Sequence, residues 1–279
     1  MTTQGTRVSR RWLALREPAD SAARAPDLVA HLGRTLAPAG RRVIHDLGCG
    51  TGAMGRWLAP LLPGPQHWVL HDRDGDLLEL AAAGLPGPAA DGAPITVETR
   101  ESDIAALAPG ELAGASFLTA SALLDMLTAD ELAALVSACA GAGCPILLTL
   151  SVVGRVALDP ADPLDTRVAT AFNAHQRRMT ERGRLLGPEA AARAAQEFGA
   201  RGAEVLIRPS PWRLGAREAG LLRQWFAGWL HAACEQEPVL AAEAEAYASR
   251  RMGALTAGRL AATVEHADLL VLPRPAQAG

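Results

Sequence analysis

"VIHDLGCGTG", residues 43–52, sets an apolar run, an acid and three glycines at alternate positions within ten residues. The apolar part reads as a buried strand. The glycines read as a tight turn that takes positive φ and lets a ligand approach backbone where a Cβ would collide. In an open parallel sheet, ligands bind beyond the carboxyl ends of the strands, near the point where strand order reverses. A nucleotide-like ligand at the end of a first strand is therefore the natural expectation.

Outward from this stretch, further short apolar runs at 67–71, 95–99, 116–120 and 145–152 alternate with helical patterns. "GAMGRWLAPLL" follows the first strand, and "DGDLLELAAAG" follows the second with Asp74 as its cap. "TADELAALVSACAGAG" precedes the fifth, capped by Thr128 or Asp130. Strands joined by helical crossovers predict a parallel sheet with helices on both faces. Two helices are expected between Trp12 and Leu36, interrupted at "REPAD", with "APAG" (37–40) as a breaker. After 152 the pattern predicts a proline-punctuated loop and helices, a sixth strand at 204–208, helices over 216–234 and 239–263, a last strand at 267–273 and a loose tail, "RPAQAG".

Composition narrows the function classes. A net charge of −3 and a pI near 6.2 give no global basic footprint for duplex nucleic acid or an anionic membrane. No run of about 18 uncharged apolar residues occurs, and the arginines of the amino end precede no apolar signal region. Cys49, Cys139, Cys144 and Cys234 form no C-x-x-C pair, which fits reduced thiols. A soluble cytoplasmic protein with no membrane partner is expected, its oligomeric state open between monomer and homodimer. His45, Cys49, His71 and Asp72 could be imagined as a metal cluster. Neighbouring residues on a strand point to opposite faces and no ligand spacing recurs, so no metal is expected.

Two ligands compete for the glycine turn. Gly48, Gly50 and Ala53 satisfy the dinucleotide pattern G-x-G-x-x-G/A, with Asp72 about 20 residues on as a ribose acid. Against this stands Asp46, two residues before the first glycine: a carboxylate there opposes a pyrophosphate and suits an ammonium group. A nicotinamide oxidoreductase of Tyr–Lys type is also hard to build, since every one of the 27 cationic side chains is arginine.

With these features together, the chain resembles the class I S-adenosylmethionine-dependent methyltransferases. "VIHDLGCGTGAMGRWL" looks like their first motif, "WVLHDRDGDLLELA" like the second, "TRESDIAAL" like the third, and "SFLTASALLDML" is similar to their fourth-strand region. The likeness covers about 41–152, and the later strand order is compatible with it. It implies a Rossmann-like α/β fold: a doubly wound, mostly parallel seven-stranded sheet with an antiparallel last strand and helical cap insertions. The expected organisation is an N-terminal helical cap over 1–40 and a methyltransferase domain over 41–279, with insertions at about 154–200 and 214–263.

The implied cofactor is S-adenosyl-L-methionine. Asp46 and the loop of Gly48, Cys49, Gly50 and Gly52 would hold its amino-acid part, and Asp72, with Arg73 beside it, would take the ribose hydroxyls. Asp103 would receive the adenine amino group and Ile104 would pack on the ring, with Ala120 completing the set. Asp72 and Asp103 could instead be cap or turn residues, although Asp74 can cap the helix after strand two.

For the acceptor, Asp125 past strand four and His175 on a helix of the insertion are candidate bases. Asp165, Asn173, Trp212 and Arg213 are candidate substrate contacts, the last two offering an aromatic face and a planar cation. Arg16, Glu17, Asp20 and Arg24 are read as a solvated charged face. "TASA" stands where base-directed enzymes carry N/D-P-P-Y/F, and there is no basic tract, so a small-molecule acceptor is favoured over RNA, with no nucleic acid expected. An RNA methyltransferase or an NAD-dependent oxidoreductase remains the alternative reading.

Overall fold

The computed structural model describes residues 9–36, 40–85 and 87–274. Residues 37–39 of the expected breaker and the tail from 275 lie outside them. The chain begins with helices α1 (Arg10–Ala23) and α2 (Pro26–Thr35). Next come β1 (Arg42–Leu47), α3 (Ala53–Leu58), β2 (Gln66–Asp72), α4 (Gly75–Gly84), β3 (Ile95–Glu101), β4 (Phe117–Ser121) and α5 (Ala129–Gly141). The second half holds β5 (Ile146–Asp159), α6 (Asp165–Gln176), a small hairpin of β6 (Met179–Thr180) and β7 (Gly183–Arg184), and α7 (Ala190–Ala200). It ends with β8 (Glu204–Pro209), β9 (Trp212–Leu214), α8 (Ala219–Gln236), α9 (Ala241–Thr256) and β10 (Ala261–Leu272).

The main sheet runs β3-β2-β1-β4-β5-β10-β8, and β9 adds to β10 as its eighth strand. β1 to β5 are parallel, and β10 runs antiparallel to both β5 and β8. Alternation along each strand divides the core. Ile44, Trp68, Leu70 and Phe117 pack against α2, α3 and α4, whereas Leu118, Ala120, Ile146 and Leu148 pack against α5 and α7. Asp74 caps α4 by accepting from the Asp76 N–H at 3.1 Å. Thr128 and Glu131 cap α5 reciprocally, at 3.2 and 2.8 Å.

A third cluster lies beyond the sheet. Leu158, Ala262 and Val264, on the outer halves of β5 and β10, pack with Trp212 and with Phe226, Trp229 and Tyr247 of α8 and α9. This ribbon corrects the expected boundaries. β5 continues to Asp159 where a loop was expected after 152, because 156–159 pair with 261–264 of β10. β10 starts at Ala261 and not 267. α9 ends at Thr256, where the pattern predicted helix to 263, at a Schellman turn in which Gly258 takes φ +67° and Arg259 N–H donates to Ala254 C=O at 2.9 Å. β9 makes eight strands in place of seven. α1 also runs through "REPAD" with Pro18 inside it, and the break comes at Arg24 and Ala25. Trp12, Leu15 and Ala19 of α1 join the third cluster, while Leu28 and Leu32 of α2 belong to the sheet core.

Candidate active site

A cleft of about 650 Å³ opens over the carboxyl ends of β1, β2 and β4, with α1 as its cover. The β1–α3 turn forms its floor. Gly50 takes φ +55°, and a Cβ there would reach 3.4 Å from Leu13 of α1, so the bare backbone leaves room between turn and cover. Its N–H donates to Asp72 Oδ2 at 2.8 Å, and Asp74 N–H donates to Oδ1 at 3.1 Å. The acid closing β2 thus spans the glycine turn and the start of α4. Asp103 accepts from Ala105 N–H at 3.0 Å, capping a short turn while lining the cleft with Ile104.

Asp46 is the electrostatic anomaly. It is 1% exposed, and among the described residues neither carboxylate oxygen has a hydrogen-bond partner. Burial pushes its carboxyl up to about 7, opposed by the charge of Arg24 and reinforced by that of Asp72. Arg24, at the end of α1 and 3% exposed, lines the same cleft. Its Nη2 donates to Ser121 Oγ at 3.2 Å and its guanidinium lies 5.1 Å from the Trp57 ring centre. Nε and Nη1 have no hydrogen-bond partner among the described residues. A buried charge without hydrogen bonds is unfavourable. An anionic and a cationic group, both unsatisfied in one cleft, are complementary to a zwitterion such as an α-amino acid.

The cover is tied to the rest of the chain at Arg56 and at Trp212. Arg56 of α3 holds Glu17 with two bonds of 2.7 and 2.6 Å. Arg16 Nε donates to Asp20 at 2.9 Å, and Trp212 Nε1 donates to the same carboxylate at 2.9 Å. The Arg16 guanidinium also stacks over Trp212, 5.0 Å from the ring centre. Leu13, Arg16, Asp20 and Arg24 all face the cleft, so the expectation of a solvated charged face is overturned. The available signal was their spacing of three or four residues, which puts them on one side of a helix.

Of the expected cofactor residues, Asp46, Gly48, Cys49, Gly50, Asp72, Arg73, Asp103 and Ile104 line the cleft. Gly52 and Ala120 do not. A Cβ on Gly52 would meet Ala81 of α4 at 3.1 Å, so this glycine serves helix packing. Ala120 points into the sheet core, and Ser121 and Ala122 form the wall.

The acceptor candidates fare worse. His175 pairs with Glu235 of α8 at 3.1 Å, away from the cleft, with burial holding its imidazole below the usual range. Asp165 is consumed by Arg251 and by the Tyr247 hydroxyl, the latter at 2.6 Å. Asn173 donates to Gly154 C=O at 2.7 Å. Trp212 is buried behind α1, and Arg213, next to it on β9, points to the opposite side and is exposed. Asp125 is half-buried in the turn between Leu123 and Met126, which line the cleft whereas Asp125 itself does not. Burial pushes its carboxyl up to about 6, against a bond from its own backbone and the charge of Arg16.

His45 Nδ1 and His71 Nε2 are 2.9 Å apart, and His71 Nδ1 is 3.1 Å from the hydroxyl of Ser102 on the cleft wall. Burial lowers both imidazoles to about 4, so the pair is neutral and braces the wall from behind. Among the described residues no group of three or more His, Cys, Asp or Glu side chains is arranged to hold a metal ion.

No protein-family model and no curated protein matches the chain. Solved structures do. The cyclopropane synthase MmaA2 from Mycobacterium tuberculosis is similar at 12% identity and a TM-score of 0.51, over 95% of this chain and 94% of that one. The YcgJ protein from Bacillus subtilis is similar at 12% identity and a TM-score of 0.50, over 90% of this chain and all of its own. A SAM-dependent methyltransferase from Geobacter sulfurreducens, solved with S-adenosyl-L-homocysteine, scores 0.45 at 16% identity, over 95% and 99% of the two chains. With its parallel β3-β2-β1-β4-β5 run and its antiparallel β10 between β5 and β8, the chain has a Rossmann-like α/β fold, mostly parallel, shared with the first two of these structures.

Proposed function

We propose that the protein is a cytoplasmic S-adenosylmethionine-dependent methyltransferase acting on a small molecule. The observation that carries this is the meeting, in one cleft, of the unpartnered Asp46 carboxylate and the unpartnered edge of Arg24 with Asp72 and Asp103. Asp46 and Arg24 would take the ammonium and carboxylate of the cofactor's amino-acid end. Asp72 would take the ribose hydroxyls, and Asp103 and Ile104 the adenine. A pyrophosphate beside buried Asp46 would set like charges together. When bound, the cofactor supplies an electrophilic methyl on its sulfonium. The chain's own part is to align an acceptor, exclude water under α1 and, for an acceptor O–H or N–H, accept its proton.

Asp125 is the group we assign to that proton. It lies four residues past the end of β4, in the turn between the wall residues Leu123 and Met126, and burial pushes its carboxyl up to about 6, so at pH 7 most of it is ionised. Asp125→Asn is expected to lower kcat about 100-fold with KM little changed, and an unaltered kcat removes it from this role. A small acceptor is supported by the net charge of −3 and the cleft volume of about 650 Å³. Among the described residues no helix is long and apolar enough to cross a membrane.

The cofactor assignment is tested by thermal shift. S-adenosylhomocysteine should raise Tm and NAD should not. The reverse pattern would replace this reading with an oxidoreductase.

A further inference from the structure

Asp268 lies in the middle of β10, 1% exposed, and does not line the cleft. Its carboxylate gathers donors from three separate parts of the chain. Oδ1 accepts from Leu150 N–H of β5 at 2.8 Å and from the Ser210 hydroxyl, between β8 and β9, at 2.5 Å. Oδ2 accepts from Ala25 N–H at 2.8 Å, at the corner between α1 and α2.

Two of these donors have no strand or helix partner of their own. Between the register pairs Leu148–Leu269 and Ser151–Ala267, β5 has two residues where β10 has only Asp268. Leu150 is the bulged residue, with φ +57°, a conformation disfavoured by about 1–2 kcal/mol for a residue with a Cβ. Its N–H turns out of the ladder toward the Asp268 side chain. Ala25 is the N-cap of α2 and has no side chain with which to cap; the carboxylate reaches the helix start from another element, where negative charge is favourable.

The residue before Ala25 is Arg24. Its guanidinium is close enough to Asp268, Asp20 and Asp46 to feel all three charges, yet it donates hydrogen bonds to none of them. Something other than a direct ion pair must therefore set where it points. Its Cα is held by the adjacent Ala25 N–H bond, and its side chain by Ser121 and Trp57.

We infer that Asp268 is a positioning residue for the cofactor's carboxylate: by clamping Ala25 N–H to the β5 bulge, it fixes the α1–α2 corner so that Arg24 faces the amino-acid end of the cleft. This rests on the proposed cofactor reading. The contribution is specific to one end of the ligand. Asp72 and Asp103, which would bind the nucleoside, hang from β2 and the turn after β3, and their hydrogen bonds go to Gly50, Asp74 and Ala105, not to the α1–α2 corner.

The test compares two probes by calorimetry: S-adenosylhomocysteine, and 5′-methylthioadenosine, which shares the nucleoside but lacks the amino-acid end. Asp268→Asn is expected to weaken S-adenosylhomocysteine about tenfold and to leave methylthioadenosine within about twofold. Ala25→Pro deletes the same bond from the other side. Ala25 has φ −79° and Arg24 has φ −56° and ψ 143°, both compatible with proline at 25, so this variant decides the matter if Asp268→Asn does not fold. In an Arg24→Gln background, Asp268→Asn should no longer change the ratio of the two affinities. Equal weakening of both probes, or of neither, overturns the inference and reduces Asp268 to a structural role. Failure of the unmodified protein to bind S-adenosylhomocysteine overturns the cofactor reading itself, and this inference with it.

Discussion

A carboxyl group buried as deeply as Asp46, with no hydrogen-bond partner among the described residues, is unfavourable when ionised unless a donor is brought to it. The sign of the pH dependence follows. In the free protein its carboxyl is pushed up to about 7 by burial, above its ordinary value of 3.8. Between these values the folded chain holds a proton that the unfolded chain has released. Its contribution to stability therefore falls as pH rises from about 4 to 7, then levels. Binding of an ammonium requires the ionised form, so ligand affinity runs the other way. S-adenosylhomocysteine should bind more weakly below pH 7, by up to about tenfold per pH unit, with proton release visible when calorimetry is repeated in buffers of different ionisation enthalpy. A flat affinity between pH 5.5 and 7.5 would contradict this, and Asp46→Asn should remove the slope. Asp46 and Asp72 were legible because each stands at a fixed offset from the glycines or at the close of a strand. Arg24 was not: alternating charges on a leading helix look the same whether they face solvent or a cleft. Trp212, which receives the helix through Asp20, lies 192 residues along the chain from it.

At the scale of elements, the glycine turn does two jobs that its pattern merges into one. Gly48 and Gly50 face the cleft, whereas Gly52 lets α3 pass close to α4. With φ +82° and Ala81 at 3.1 Å from any added Cβ, Gly52→Ala should destabilise the fold by about 2–4 kcal/mol, read as a lower denaturation midpoint. An unchanged midpoint would mean that α4 yields without penalty. The first five strands and the helices between them were readable because each has its own period and cap, as with Asp74 and Thr128. The outer ribbon was not. Residues 156–159 and 261–264 become strand by pairing with each other about a hundred residues apart, beyond two register shifts, one at Leu150 with positive φ and one over 153–155 with Gly154 at φ +74°. His175, Asn173 and Asp165 were misplaced for the same reason. The ribbon carries α6 outward, and their polar groups close the joints of the third cluster instead of reaching the cleft.

Across the whole molecule, the sheet supplies a rigid rim of acids and the leading helix closes over it, tied down by Glu17 to Arg56 and by Asp20 to Trp212. Around the amino-acid end, half-buried Arg16 and buried Arg24 stand among the acids Asp20, Asp46 and Asp72 of the cleft. All of this converges on one ligand. The most direct measurement is a calorimetric titration of the folded protein with S-adenosylhomocysteine above pH 7. The expected result is saturable binding at one site per chain, weakened tenfold or more by Asp72→Ala. Well-folded protein that gives no binding isotherm would contradict the account.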